Sequence, residues 1–276
     1  MLNRPWHYSM IEALKKTKGI ILDIDGTLFK GEHPLLDLKE LFTLLETLGW
    51  GFIVATNNTK SAKDYQERFR KQGISIKEEH ILTCAEATAE YLALNHSKRH
   101  TVYVIGKEAL KNEIRQRGYE VLEGREKQAD IVVVGGDFNL NYEKLKNAIL
   151  HIQDGARLIG TNPDILIPTE EGLLPEAGTT LAAIEAATGM HPIIIGKPEP
   201  ILFQLAVKKM GLTAKQVMMI GDRLDTDIKG ARQAGIYSVL VETGVDSRES
   251  VESKGIHPDF IVPDMKQFMR IIEESL

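Results

Sequence analysis

The chain is predicted to be an α/β protein built on parallel βαβ units, and three observations predict it. Short apolar runs recur, each ending in Gly, Asp, Thr or Asn, and amphipathic helix patterns stand between them. The opening run is the sharpest: Gly19-Ile20-Ile21-Leu22 leads straight into Asp23-Ile24-Asp25-Gly26-Thr27. Mid-chain, from about Thr83 to Thr188, a second set of strand and helix patterns is long enough to fold as its own domain.

The opening strand sets the theme. A period of two puts Asp23 and Asp25 on one face and Ile24 on the other. Gly26 lets the backbone turn where the strand ends. Open α/β sheets bind ligands at that end of their strands. Two close carboxylates repel and need a cation or a shared proton. Read alone, the same stretch is also an ordinary strand closing in an Asp-Gly turn.

Before it, residues 1–18 lack the basic start and apolar middle of a signal peptide and read as a short leader helix. After it, Leu35, Leu38, Leu41, Phe42, Leu45 and Leu48 recur at helical spacing, and Gly49 stops the pattern. A second buried strand, from Gly51, ends in Thr56-Asn57-Asn58. Strand, helix, strand makes a parallel unit that sets these donors at the same sheet edge as Asp23 and Asp25. Small neutral donors suit phosphate oxygens; equally, Asn58 or Thr59 suits the start of a helix running through Phe69.

Within the second block, Val102–Ile105, Val121–Leu122, Ile131–Val134 and Leu158–Gly160 read as strands. Glu86–Leu94, Lys107–Arg117, Tyr142–Gln153 and Thr179–Ala187 read as helices. Thr161-Asn162-Pro163-Asp164 and the stretch from Thr169 to Thr180, punctuated by Gly172, Pro175 and Gly178, read as loops.

Ile193-Ile194-Ile195-Gly196-Lys197 returns to the strand-then-loop pattern, with Pro198 suited to the first position of a helix ending at Gly211. A lone lysine is ordinarily solvated, but Lys197 follows directly on an apolar strand. Val217 to Ile220 then repeats the opening logic, running into Gly221-Asp222, with Asp225, Thr226 and Asp227 close behind. Asp225 or Thr226 suits a helix cap, and Asp227 a first-turn acid. Strands at Tyr237–Val241 and Phe260–Val262 and a helix from Met265 complete the chain.

Composition narrows the function. The chain has 276 residues, 43% hydrophobic and 26% charged, which suits one large domain or two ordinary ones. A net charge of −5 argues against nucleic acid and against a polybasic membrane surface. No apolar run approaches the roughly 18 residues of a membrane span. The single cysteine, Cys84, permits no intramolecular disulfide and reads as a buried thiol, consistent with a cytoplasmic location.

Four carboxylates therefore converge on one sheet edge with one lysine and a hydroxyl-amide cluster. Two unit charges 4 Å apart repel by about 4 kcal/mol at an effective dielectric of 20. An oxygen-seeking divalent cation relieves this, and Mg²⁺ takes a few carboxylates plus phosphate oxygens.

These motifs resemble the four motifs of the haloacid dehalogenase-like (HAD) superfamily, in order: Asp23-Ile24-Asp25-Gly26-Thr27, Thr56-Asn57-Asn58, Gly196-Lys197-Pro198, and Gly221-Asp222 with Thr226-Asp227. The long insert resembles the α/β cap of the NagD-like, para-nitrophenyl phosphatase-type branch, as do Gly160 to Asp164 and Ala177-Gly178-Thr179. The resemblance implies a Rossmann-like core, discontinuous over 1–82 and 189–276, with a cap at 83–188. It implies an Mg²⁺-dependent phosphatase acting on a small phosphorylated metabolite, such as a sugar phosphate or nucleotide. Asp23 would be the nucleophile and Asp25 the general acid and base. Asp23, the main-chain carbonyl of Asp25, Asp222 and Asp227 would serve the metal. Thr56, Asn57, Asn58 and Lys197 would hold the phosphate, and Asn162, Asp164 and the loop at Gly178 the leaving group. Relatives also imply a homodimer through the cap. Pyridoxal-type relatives carry a histidine where this chain has Ile167.

Two alternatives share these residues. A phosphotransferase or mutase would replace water by a second substrate hydroxyl, and a non-enzymatic regulator would only bind the metabolite. A dehalogenase would not keep the second aspartate. The chain has no Gly-x-x-x-x-Gly-Lys-Ser/Thr stretch, and Gly135-Gly136 falls short of the dinucleotide fingerprint.

Overall fold

The computed structural model describes residues 4–275, with side chains from residue 9 onward; part of the expected leader helix lies outside them. The chain divides into two compact units. One comprises Met1–Thr56, Lys63–Leu82 and Lys197–Leu276, the other Asn57–Ala62 and Thr83–Gly196.

In chain order, helix α1 (Arg4–Lys16) and strand β1 (Gly19–Leu22) come first. A small hairpin follows, β2 (Phe29–Lys30) and β3 (His33–Pro34), then α2 (Leu38–Leu48), β4 (Gly51–Thr56), α3 (Ala62–Lys71) and β5 (Ile81–Thr83). The middle of the chain carries α4 (Cys84–Asn95), β6 (Thr101–Ile105), α5 (Glu108–Gln116), β7 (Glu120–Leu122), β8 (Ile131–Val134), α6 (Tyr142–Gln153) and β9 (Arg157–Gly160). Next come β10 (Leu166–Thr169), β11 (Gly172–Pro175), α7 (Ala177–Thr188) and β12 (Ile193–Ile194). The last third holds α8 (Pro200–Lys209), β13 (Val217–Gly221), α9 (Lys229–Gln233), β14 (Tyr237–Val241), α10 (Arg248–Lys254), β15 (Phe260–Val262) and α11 (Met265–Ser275).

The first unit is built on a six-stranded sheet in the order β15-β14-β13-β1-β4-β5. Strand β1 runs parallel to both neighbours, with Leu22 level with Val54 on one side and Ile220 on the other. Its four residues are all buried, as a strand covered on both faces requires. The order reverses at β1, so the crevice between β1 and β13 is the topological switch point, where such sheets bind ligands. The residues that follow Leu22 and Ile220 open onto that crevice.

The second unit has its own parallel sheet, β12-β9-β8-β6-β7. Tyr103, Val132, Val134, Leu158, Leu181 and Ile184 are among its core residues.

Several expectations need correction. The boundary expected at 189 falls inside the second unit, because Ile193 and Ile194 pair with Ile159 and Gly160. Asn57–Ala62 also groups with that unit. Helix α2 starts at Leu38 rather than Leu35, since Asp37 accepts the N–H groups of Lys39 and Glu40 and closes the helix there. Helix α8 starts at Pro200; the Lys197–Pro198 bond is cis and Pro198 precedes the helix. The stretch from Thr169 to Thr180 is not a plain loop: β10 and β11 form an antiparallel hairpin and α7 already begins at Ala177. Pro168 is tolerated because a two-stranded ribbon leaves outward N–H groups unpaired.

Candidate active site

The loop after β1 begins with Asp23, whose N–H still donates to Ile220 as a last rung of the sheet. Asp222 follows β13. Asp227 arrives by a wider turn: Leu224–Ile228 is a single π-helical turn, in which the Ile228 N–H reaches the Arg223 carbonyl at 3.2 Å. The expected cap by Asp225 or Thr226 is absent there. Instead Asp227 folds back and accepts the Arg223 N–H at 3.1 Å, while Asp225 pairs with the Arg223 guanidinium.

Asp23, Asp222 and Asp227 are all buried, and one oxygen from each lies within 4.8 Å of the others. Glycines make this possible. A side chain at Gly26, where φ is +92°, would stand 2.5 Å from Asp222 Cγ, and one at Gly244 would stand 2.7 Å from Asp222 Cβ. Lys197, 3% exposed, sits among the acids. Its ammonium donates to Asp23, to Asp227 at 2.7 Å and to the Ala55 carbonyl at 3.5 Å.

Three carboxylates against one ammonium leave the cluster short of positive charge. Burial raises Asp23 well above the usual carboxylate range; Lys197 opposes this, and Asp227 and Asp222 add to it. Burial and the Asp227 charge push Asp222 up to about 6, against the Val245 N–H that donates to it at 2.7 Å. Burial alone would depress the Lys197 ammonium, but Asp227 and Asp23 outweigh it and hold the pKa above the ordinary lysine value. Asp222 Oδ1 is buried with no hydrogen-bond partner. An all-oxygen set with an orphaned carboxylate oxygen fits a hard divalent cation such as Mg²⁺.

Asp25 lies outside this cluster. Its side chain is 63% exposed and pairs with Arg68 of α3 at 2.9 Å. Thr56, at the end of β4, is buried and hydrogen bonds with the Tyr65 hydroxyl, whose pKa burial raises.

The other expected binding residues belong to the second unit. Asn57 Nδ2 donates to Asp164 at 2.9 Å rather than standing open. The Asn58 side chain accepts the Lys60 N–H, and its carbonyl accepts the Cys84 N–H at the start of α4. Asn162, buried, donates to the Asn57 carbonyl and accepts the Asp164 N–H, so it shapes its own loop. Gly178 is a packing position: a side chain there would stand 2.8 Å from the Asp164 carbonyl oxygen. Cys84 is buried, and its thiol donates to Asn57 Oδ1 at 3.6 Å.

Sequence reasoning passed over Arg68, Tyr65 and Glu176. Glu176 is 5% exposed, and burial raises its pKa despite the charge of Lys107 and a hydrogen bond from Asn162. An Asn or Asp at a strand end is a local signal; an Arg in mid-helix is not, because its partners are remote in sequence.

Residues 20–120 match the haloacid dehalogenase-like hydrolase family, and residues 194–268 a HAD-hydrolase-like family. An acid sugar phosphatase of Staphylococcus aureus is 34% identical over 262 residues, 95% of this chain and all of that one. The structure of a p-nitrophenyl phosphatase from Archaeoglobus fulgidus superposes with a TM-score of 0.86 at 33% identity, covering 92% of this chain and 98% of that one. That of a glycerol phosphate phosphatase from Mycobacterium tuberculosis in complex with magnesium gives 0.82 at 33% identity, covering 94% and 77%. Among the described residues, no helix is long and apolar enough to cross a membrane.

Proposed function

Because the chain belongs to the haloacid dehalogenase-like hydrolases, and is a phosphatase of their NagD-like, para-nitrophenyl phosphatase-type branch, we propose that it hydrolyses small phosphate monoesters, sugar phosphates among them, with Mg²⁺ and through a phosphorylated Asp23. The observation that carries this reading is the buried trio Asp23, Asp222 and Asp227 around Lys197 at the switch point of a parallel sheet. The acid sugar phosphatase among the relatives supports the substrate class.

A carboxylate oxygen of Asp23 attacks phosphorus in line, the ester oxygen leaves with a proton from Asp25, and an aspartyl-phosphate remains. Asp25 then takes a proton from water, the water oxygen attacks phosphorus, and the Asp23 carboxylate is released with inorganic phosphate. Lys197 holds Asp23 in place and meets the charge of the incoming phosphate. Thr56 is a donor for a phosphate oxygen. Asp23, Asp222 and Asp227 would hold the cation, which when bound supplies positive charge to the transferring group.

The test is phosphate release from sugar phosphates, nucleoside monophosphates, glycerol phosphate, pyridoxal phosphate and para-nitrophenyl phosphate, with Mg²⁺ and with chelator. Metal-dependent release that Asp23→Asn abolishes is the expected result. Release that survives Asp23→Asn in equally pure protein removes the aspartyl mechanism. Product analysis with added acceptor alcohols separates hydrolysis from transfer.

A further inference from the structure

We infer that Arg68 is a positioning residue for Asp25: a half-buried guanidinium on α3 that fixes one oxygen of the general acid and leaves the other for the proton. The inference rests on the role given to Asp25 above.

Arg68 is an unusual arginine. Its side chain is only 12% exposed, while the Asp25 side chain it meets is 63% exposed. Charged side chains of this size are seldom so buried unless paired. Its Nη2 donates to Asp25 Oδ1 at 2.9 Å and also to the Gly31 carbonyl in the turn between β2 and β3. The guanidinium lies over the Phe29 ring, 4.3 Å from its centroid, a cation–π contact. Phe29 in turn packs edge-on against Phe69, the residue after Arg68, with ring centroids 5.3 Å apart. The carboxylate of Glu32 lies 3.9 Å from Nε. The guanidinium is therefore held on its face, at its edge and through its own helix.

Asp25 is anchored differently. Its backbone bridges to Phe29, and the next N–H, of Gly26, donates to the Phe29 carbonyl at 2.7 Å. That fixes the main chain but not the side chain, which on an exposed surface is free to sample several staggered rotamers. Among the described residues, Arg68 supplies the only hydrogen bond to the Asp25 carboxylate, and it goes to Oδ1. A group that must give a proton to one oxygen and then take one from another gains from a fixed orientation in both steps.

A plain alternative is that Arg68 only staples the β2–β3 hairpin to α3. The two differ in what they predict for the leaving group. Protonation matters most when the leaving oxygen is a poor one, so in the formation of the aspartyl-phosphate, the step that kcat/KM reports, loss of acid positioning falls on alkyl phosphates and spares para-nitrophenyl phosphate; the hydrolysis that follows is common to both esters. Loss of a staple falls on both alike.

The experiment compares kcat and KM for para-nitrophenyl phosphate and for the best alkyl phosphate of the panel above. It uses the full chain with Mg²⁺ as wild type, Asp25→Asn, Arg68→Met, Arg68→Lys and the Asp25→Asn/Arg68→Met pair. Arg68→Met is expected to lower kcat/KM about tenfold on the alkyl ester and less than about threefold on the aryl ester. Arg68→Lys, which keeps the charge but not the fork, recovers part of that loss. The double variant is no worse than Asp25→Asn alone, because both changes act through one group. Equal losses of kcat/KM on both esters, no loss on either, or additive losses of kcat/KM in the double variant overturn the inference. Asp25→Asn is the control on the underlying reading: it must itself discriminate between the esters. If it does not, the acid role of Asp25 falls; if it does and Arg68→Met does not, only the inference falls. Should Arg68→Met fail to fold, Arg68→Lys carries the same comparison.

Discussion

Lys197 Nζ donates to Asp227 Oδ1 at 2.7 Å, with neither side chain more than 4% exposed. The same ammonium holds Asp23, so one buried cation is shared by two buried anions. Removing one partner of a buried pair leaves an uncompensated charge and costs about 3–5 kcal/mol. Lys197→Met is therefore expected to lower the unfolding free energy by about that amount in urea titrations without added metal. Phosphatase activity is expected to fall at least about 10³-fold, because the variant loses both the alignment of Asp23 and the charge facing the phosphate.

On the function proposed above, a cation at the orphaned Asp222 Oδ1 would serve stability as well as chemistry. A ligand that binds only the folded chain stabilises it by about 2.7 kcal/mol at a concentration 100 times its Kd. Mg²⁺ is expected to raise the melting temperature in a concentration-dependent way, and chelator to reverse it. Asp222→Asn removes one anionic ligand and is expected to weaken that shift at least about tenfold in Mg²⁺ concentration. An unchanged response in Asp222→Asn would place the cation elsewhere.

The same cluster sets a pH dependence in chelated protein. Folding raises Asp222 to about 6 and Asp23 well above the usual range, whereas an unfolded chain releases these protons near ordinary carboxylate values. The folded state thus binds more protons between about pH 4 and 6, and its stability falls as pH rises through that window. Urea unfolding across pH 4.5 to 7.5 is expected to show a loss on the order of 2 kcal/mol. With saturating Mg²⁺ the slope is expected to shrink, since the cation takes the place of the protons.

What could be read beforehand was local. Asp23 and Asp222 stand at the ends of buried strands, and a short apolar run leading into an acid, directly at Asp23 and through Gly221 at Asp222, is visible in a single window of sequence. The register of β1 against β4 and β13 then does the rest. What could not be read depended on partners far away. The pairing of Arg68 with Asp25 joins positions 43 residues apart, and nothing in the run Gln66-Glu67-Arg68-Phe69 marks one arginine for burial. The π-helical turn at Leu224–Ile228 was hidden because Asp225 or Thr226 looks like the cap, and Asp227 like a first-turn acid, of a regular helix. The hairpin of β10 and β11 was hidden because Pro168 and two consecutive glutamates at its turn argue against strands.

Gly178 shows how a packing requirement can look like a binding one. In sequence it punctuates a stretch between two apolar elements, which suggests a flexible loop near a ligand. In the structure it is the second residue of α7, buried, and its N–H donates to the Asp164 carbonyl at 2.9 Å. A methyl group there would press on the carbonyl oxygens of Pro163 and Asp164, which are backbone atoms and cannot move aside as a flexible side chain would. Gly178→Ala is therefore expected to lose about 1–3 kcal/mol of stability, the range for overpacking, even though alanine favours helices. Because Asn162 and Asp164 share that loop, the displaced backbone also disturbs the hydrogen bond from Asn57 to Asp164. Thermal unfolding of Gly178→Ala beside Thr179→Ala, whose hydroxyl donates to the Ile165 carbonyl, checks the point. A glycine variant as stable as wild type would mean that the loop yields freely, and that this position is kept small for a ligand.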